Sequence, residues 1–165
     1  MIFLTESLDS SHIKKEFSCG KEMLDNYIQK QAGQDVKRKL SACFVFVEED
    51  KIVQGYFTLS NNSIPLEQVP ESFKKKLPKS YTSIPTSLLG RLAVDTKFKG
   101  KGLGKKLLIE ALKRSYLVSK EIGSFAVIVD PIDEDADSFY TKYGFIKLPD
   151  SGKMFLSMKT IQQLF

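Results

Sequence analysis

Leu88-Leu-Gly-Arg-Leu-Ala-Val-Asp-Thr-Lys-Phe-Lys-Gly-Lys-Gly-Leu-Gly-Lys-Lys-Leu-Leu108 decides how this chain is read. Its first part, Leu88 to Val94, is an apolar run of strand length and reads as a buried strand. Its middle, Lys99-Gly100-Lys101-Gly102-Leu103-Gly104, is a turn in which glycine permits positive φ and close approach of a ligand to the backbone. From Leu103 onward, Leu107, Leu108, Ala111 and Leu112 fall on one helical face, with Lys105, Lys106, Lys113 and Arg114 elsewhere. A strand that feeds a Gly-rich turn and opens a helix makes an anion site. The first helical turn leaves N–H groups unpaired at the positive end of the dipole. Lys97, Lys99, Lys101, Lys105 and Lys106 add charge at the same place.

Two common phosphate loops are excluded by spacing. No G-x-x-x-x-G-K-[ST] string occurs, and Gly100, Gly102 and Gly104 run G-x-G-x-G, not G-x-G-x-x-G. The glycines also lie past the middle of the chain, where a dinucleotide fold would not place its fingerprint. The turn instead resembles the acyl-CoA turn of the GNAT N-acetyltransferases, whose pattern [Q/R]-x-x-G-x-[G/A] maps onto Lys99 to Gly104. Lys99 departs from that pattern at its first position, a mild departure if the position contributes mainly a backbone N–H.

Composition sets the bounds. A chain of 165 residues is expected to form one domain, 1–165, with a single sizeable core. The net charge of +5 permits an anionic partner without demanding one. Cys19 and Cys43 make neither a disulfide framework nor metal spacing, and the single His12 rules out a His-rich metal site, so no metal is expected. No apolar run reaches the length of a membrane helix and the start of the chain is not a signal peptide, which leads to the expectation of a cytoplasmic protein.

In chain order, Ile2 to Leu8 reads as a strand and His12 to Phe17 as a short helix with His12 exposed. Lys21 to Gln31 begins a second helix, with Met23, Leu24, Tyr27 and Ile28 as its core face. Ser41 to Glu48 and Ile52 to Leu59 form a hairpin. Residues 61–85, with Pro65, Pro70, Pro78 and Pro85, read as loop around one or two helical turns at 71–77. Phe125 to Asp130 is apolar and therefore central. Asp133 caps a helix to about Tyr143, Gly144-Phe145 ends it, and Phe145 to Lys147 starts a further strand. Met154 to Met158 is the last strand and Lys159 to Phe165 a tail. This order gives an α/β fold with a mixed sheet and helices on both faces.

The resemblance widens when the whole chain is read. Phe17-Ser-Cys-Gly-Lys-Glu-Met-Leu-Asp-Asn-Tyr27, Gly55-Tyr-Phe-Thr-Leu-Ser60, Leu89-Gly-Arg-Leu-Ala-Val-Asp95 and Asp137-Ser-Phe-Tyr-Thr-Lys-Tyr-Gly-Phe145 resemble the GNAT toxins of bacterial toxin–antitoxin modules, the TacT/AtaT type. The resemblance implies a GNAT fold, with a central, mostly antiparallel twisted sheet. It implies acetyl-CoA as cosubstrate and transfer of acetyl to the α-amino group of aminoacyl-tRNA, which stops translation. It also implies a ribbon-helix-helix antitoxin partner and a homodimer. For the site, it implies that Gly100, Lys101, Gly102, Leu103, Gly104 and Lys105, with Lys99, hold the CoA pyrophosphate. Backbone around Leu92, Ala93 and Val94 takes pantetheine where that strand splays from Phe125 to Asp130. Asp133 and Phe139 complete the cofactor contacts. Tyr140 stands at the place of the family's catalytic tyrosine.

Residue chemistry runs beside this. A phenol is protonated at neutral pH and can give its proton to a departing thiolate. Spacing alone leaves Tyr140 as either that donor or a core aromatic beside Phe139 and Tyr143; Tyr143 is expected to be structural. Leu88 to Val94 holds no carboxylate, and Glu48, Glu49 and Asp50 sit in a turn, so no general base stands out. An α-amine, with pKa about 8, needs a base less than a lysine amine does, which favours an α-amino acceptor. Arg91 either meets substrate or pairs with an acid such as Asp130. Lys37-Arg38-Lys39 and Lys74-Lys75-Lys76 read as tRNA contacts or as solvated surface. The alternatives are a GNAT enzyme acting on a small amine or a protein N-terminus, and a non-catalytic acyl-CoA-binding module.

Overall fold

Apolar runs and alternations make the longer strands of this chain, and the computed structural model describes residues 2–165. The strands are β1 (Glu6–Ser7), β2 (Ala42–Phe46), β3 (Gly55–Pro65), β4 (Ser83–Val94), β5 (Ala126–Val129), β6 (Ile146–Lys147) and β7 (Met154–Ser157). The helices are α1 (Glu22–Asn26), α2 (Ala32–Lys37), α3 (Glu71–Lys74), α4 (Leu103–Ser119), α5 (Glu134–Lys142) and α6 (Met158–Gln162). Among the described residues the seven strands run in the order β1-β2-β3-β4-β5-β7-β6. The β4–β5 pair is parallel; β1–β2, β2–β3, β5–β7 and β6–β7 are antiparallel. This is the mixed α/β sheet that the sequence order implied, mostly antiparallel as the resemblance implied. The chain divides into two compact units, the chain up to Ser60 with Leu89–Leu112, and Asn61–Leu88 with Lys113–Phe165.

In the first unit β2 and β3 form the expected hairpin, from Ala42 opposite Leu59 to Phe46 opposite Gly55. Successive strand residues point to opposite faces, and Gly55 and Tyr56 show what each face meets. The Tyr56 hydroxyl donates to the Leu24 carbonyl of α1 at 2.7 Å. A Cβ on Gly55 would stand 2.8 Å from Leu107 of α4 and 3.1 Å from the Ala93 carbonyl, so glycine alone lets α4 approach. Helices therefore cover both faces of this unit. The α1 face buries Leu24, Tyr27, Ile28, Cys43, Val45, Tyr56 and Ala93 in one cluster. Full burial of a side chain such as Ile28 or Val45 contributes about 1.5–3 kcal/mol.

In the second unit all four residues of β5 are buried, and Val127 and Ile128 pair with Ser87 and Leu88 of β4 on one side and with Leu156 and Phe155 of β7 on the other. Ile64, Val69, Ile84, Ala126, Ile128, Leu148 and Phe155 form its core. Phe73 of α3 closes that core edge-on against Phe155, with ring centroids 5.1 Å apart.

Several expectations are corrected, each for a local physical reason. The strand from Ile2 shrinks to Glu6–Ser7 because the N–H groups of Leu4 and Thr5 go to the buried Glu110 carboxylate of α4. The His12 to Phe17 helix is absent and His12 is buried. Its Nδ1 accepts from the Asp9 N–H at 3.0 Å and its Nε2 meets Glu6 at 2.6 Å, a local turn that replaces helical bonding. The 21–31 helix is interrupted by a π turn over Tyr27–Gln31, and Met23 is exposed, not core. Residues 61–85 are less loop than the prolines suggest, since β3 reaches Pro65 and β4 contains Pro85. The Pro85 carbonyl accepts from the Phe125 N–H at 2.8 Å, a bond that needs no N–H from proline. The tail folds into α6, capped by the Ser157 hydroxyl accepting from the Thr160 N–H at 3.2 Å.

Candidate active site

β4 ends in the turn that the sequence singled out. Between Leu88 and Val94 only Leu89 and Ala93 are fully buried, which corrects the reading of a strand buried throughout. Upstream the buried positions are Ile84 and Thr86. Asp95 then turns the chain. It is buried, its Oδ1 accepts from the Lys97 N–H at 2.9 Å, and its Oδ2 accepts from the Ser18 N–H at 3.1 Å.

The glycines do what their spacing implied. Gly100 and Gly102 have φ of +83° and +77°, and nothing lies within 4 Å of where a Cβ would stand on either. The turn is therefore an open cradle shaped by backbone, not by packing. The Gly102 carbonyl accepts the first α-helical bond of α4, from the Lys106 N–H at 3.1 Å. The N–H groups of Leu103, Gly104 and Lys105 accordingly have no intrahelical acceptor. Leu103 is buried and anchors the helix start, while Lys101 and Lys105 are exposed. A twice-charged diphosphate fits this donor set. Lys99 behaves differently from its neighbours. Its N–H points at the Thr96 carbonyl, 3.5 Å away, and its ammonium donates to the Cys19 carbonyl at 2.7 Å. The backbone role left open for Lys99 is therefore weakened, because that N–H already has an acceptor.

In the second unit, Asp133 caps α5 as its sequence implied, Oδ1 accepting from the Ala136 N–H at 2.9 Å. Glu134, Asp135 and Asp137 follow in the first turn, where the helix dipole favours them. One turn later stands Tyr140. Its ring meets Phe139 and Phe145 edge-on at 5.3 and 5.2 Å. Phe139 meets Tyr143 at 5.1 Å. Tyr140 is 7% exposed, and burial alone pushes its pKa well above the usual phenol value. Tyr140 thus keeps its proton throughout the neutral range. Phe139 and Tyr143 are half-buried. Gly144, at φ +94°, ends α5 and lets the Phe145 N–H return to the Tyr140 carbonyl at 3.1 Å.

Other candidates sort differently. Arg91 lays its guanidinium over the Tyr27 ring, 3.5 Å from the centroid, an aromatic partner in addition to the two roles, substrate contact or an acid such as Asp130, that the sequence left open. Tyr27 donates its hydroxyl to Asp35 at 2.8 Å, and burial together with that acceptor pushes its pKa up to about 12. Glu48 accepts from Gln54 at 3.1 Å, a structural use of that carboxylate. Lys37 ends α2, and Lys74 to Lys76 lie on and just beyond α3. Among the described residues no helix is long and apolar enough to cross a membrane. Sequence reading missed Ser18, whose N–H meets the Asp95 carboxylate, Gln54, whose amide meets Glu48, and Glu110, which accepts from the Leu4 and Thr5 N–H groups; an acid on an otherwise apolar helix face was the one available signal, at Glu110.

Comparison with known proteins agrees with this geometry. The model of the acetyltransferase (GNAT) domain matches residues 39–147. A tRNA-acetylating toxin of Mycobacterium tuberculosis (strain ATCC 25618 / H37Rv) is 33% identical over 149 residues, covering 90% of this chain and 87% of the relative. The solved structure of AtaT complexed with acetyl-methionyl-tRNAfMet superposes with a TM-score of 0.89 at 28% identity, covering 98% of both chains. A tyrosine-to-phenylalanine mutant of AtaT, bound to the C-terminus of the antitoxin AtaR and acetyl-CoA, gives a TM-score of 0.82 at 25% identity over 98% of this chain and 96% of that one. With its turn, its capped acid-bearing helix and these matches, the chain belongs to the GNAT acetyltransferase family.

Proposed function

We propose that this acetyltransferase is a toxin that uses acetyl-CoA to acetylate the α-amino group of aminoacyl-tRNA. The observation that carries the reading is the 33% identity, over nine-tenths of the chain, to a tRNA-acetylating toxin. The open turn at Gly100 to Gly102 and the proton-holding Tyr140 support it.

The cosubstrate supplies an activated thioester; the chain does the rest. Gly100, Lys101, Gly102, Leu103, Gly104 and Lys105 present backbone N–H groups to the pyrophosphate, with Lys99 shaping their turn. Leu92, Ala93 and Val94 bond the pantetheine amides through their backbone, and one of their N–H groups polarises the thioester carbonyl. Asp133 holds the start of α5, and Phe139 backs Tyr140. Tyr140 then gives its proton to the sulfur as the C–S bond breaks. The raised phenol pKa keeps the proton on Tyr140 until the C–S bond breaks, and the phenolate left behind recovers the proton that the attacking amine gives up. The acceptor α-amine is partly neutral at cellular pH and attacks without a dedicated carboxylate base. Lys37-Arg38-Lys39 and Lys74-Lys75-Lys76 meet tRNA phosphates. The protein works in the cytoplasm as one catalytic domain over 1–165, as a homodimer, and is silenced by a ribbon-helix-helix antitoxin; the antitoxin complex of AtaT supports that partnership.

The test is inducible expression in a bacterium without the antitoxin, wild type beside Tyr140→Phe. Growth arrest by wild type and normal growth with the variant are expected. Normal growth with both, from folded protein that binds acetyl-CoA, overturns the toxin reading.

A further inference from the structure

The turn that opens α4 does not stand by its own packing, since two of its glycines face open space. It is held from outside, by the loop Phe17-Ser18-Cys19-Gly20. Three hydrogen bonds join the two segments. Ser18 donates its N–H to Asp95 Oδ2 at 3.1 Å, Thr96 donates its N–H to the Ser18 carbonyl at 2.9 Å, and Lys99 donates its ammonium to the Cys19 carbonyl at 2.7 Å. The loop is itself fixed. Phe17 packs edge-on against Tyr56 at 5.5 Å, Gln29 donates to the Phe17 carbonyl at 2.8 Å, and the Cys19 N–H donates to Asp25 at 2.8 Å. Phe17 and Cys19 are both buried, and Gly20 leaves the loop at φ +92°. Every carbonyl from Phe17 to Cys19 therefore has a donor, in a segment with no regular structure.

We infer that the Phe17–Gly20 loop is the seat of the acetyl-CoA turn, and that Asp95 and Lys99 are positioning residues tying the turn to it. The inference rests on reading that turn as the pyrophosphate site. Asp95 acts at the entry of the turn, where one carboxylate holds both the Lys97 and Ser18 N–H groups. Lys99 acts at the base of the cradle. One of the three donors of the Lys99 ammonium is committed to the Cys19 carbonyl, which ties the turn to the loop. The cradle is thus set before its anion arrives, which removes an ordering cost from binding. The same loop leads into α1 and Tyr27, so a motif that the catalytic chemistry leaves unused gains a role.

The test is calorimetric titration of acetyl-CoA, with no acceptor present, into wild type, Asp95→Asn, Lys99→Met and Lys99→Arg at two salt concentrations, followed by kcat and KM. Asp95→Asn and Lys99→Met are expected to weaken acetyl-CoA binding about tenfold with kcat at saturation within about twofold, because only preorganisation is lost. Lys99→Arg, which can still reach the carbonyl, is expected to restore binding to within about threefold. The salt dependence of Lys99→Met should run parallel to that of wild type. A flattened dependence means that the ammonium meets phosphate directly and overturns the assignment of Lys99. Unchanged affinity in folded Asp95→Asn or Lys99→Met overturns the seat. If Asp95→Asn does not fold, exposed Lys99 still decides. Amide hydrogen exchange of Ser18, Thr96 and Lys97, whose N–H groups are bonded at the tie, measured without ligand, should quicken in both variants. Should wild type fail to bind acetyl-CoA, the pyrophosphate reading fails, while that exchange still judges the tie.

Discussion

The turn at Lys99 to Gly104 and the helix α5 are both expected to serve one reaction, yet they work in opposite ways. The turn is exposed, glycine-rich and shaped by backbone; its useful groups are N–H groups that any residue of compatible φ could supply. Helix α5 contributes one side chain, Tyr140, buried against Phe139 and Phe145 so that its proton stays on. Lys99 and the buried Leu103 apart, the turn should therefore tolerate changes of side chain and fail on changes of conformation. Helix α5 should keep its shape through a change of one atom and lose its chemistry.

Removing the Tyr140 hydroxyl breaks the comparison on the helix side and carries the largest expected effect. Tyr140→Phe should lower kcat by about 10²–10⁴-fold, the usual worth of a positioned acid, with the KM for acetyl-CoA within about twofold. Steady-state kinetics at saturating acceptor reads this directly. On the turn side, Gly102→Val forces a β-branched residue into positive φ at a cost of about 1–2 kcal/mol. The KM for acetyl-CoA should rise roughly five- to thirtyfold while saturating kcat is largely kept, the reverse of the tyrosine variant.

The pH profile sharpens the contrast. Burial raises the Tyr140 pKa, so the acid form persists above the ordinary phenol pKa of about 10. Activity of a folded enzyme should climb with pH as the acceptor amine deprotonates and show no alkaline decline through pH of about 9.5. A decline with a midpoint near 9 would mean an acid other than a buried phenol. The smallest effect belongs to an exposed turn side chain. Lys101→Gln should raise the KM for acetyl-CoA only two- to threefold, and less at high salt, because solvent screens that charge.

These differences also explain what could be read in advance. The turn, the α4 face, the Asp133 cap and central β5 were legible, because each depends on residues within a few positions of one another. Positive φ at Gly100 and Gly102 is local chemistry, and so is the Asp133 bond to Ala136. The supports were not legible. The Ser18–Asp95, Cys19–Lys99 and Thr5–Glu110 bonds join residues 77, 80 and 105 apart, and no periodicity encodes such pairings. His12 misled for a related reason: its type suggested surface, and a turn with Asp9 and Glu6 buried it. The tail was missed because Ser157 caps a helix immediately after β7, where a strand pattern runs straight into the cap.

The most direct measurement supplies the purified protein with acetyl-CoA and a pool of charged tRNA, then analyses the aminoacyl-adenosines released by nuclease by mass spectrometry. The proposed function calls for one or more aminoacyl-adenosines heavier by one acetyl group with wild type, and none with Tyr140→Phe. An unmodified pool, from protein that binds acetyl-CoA and acetylates another amine, would contradict it.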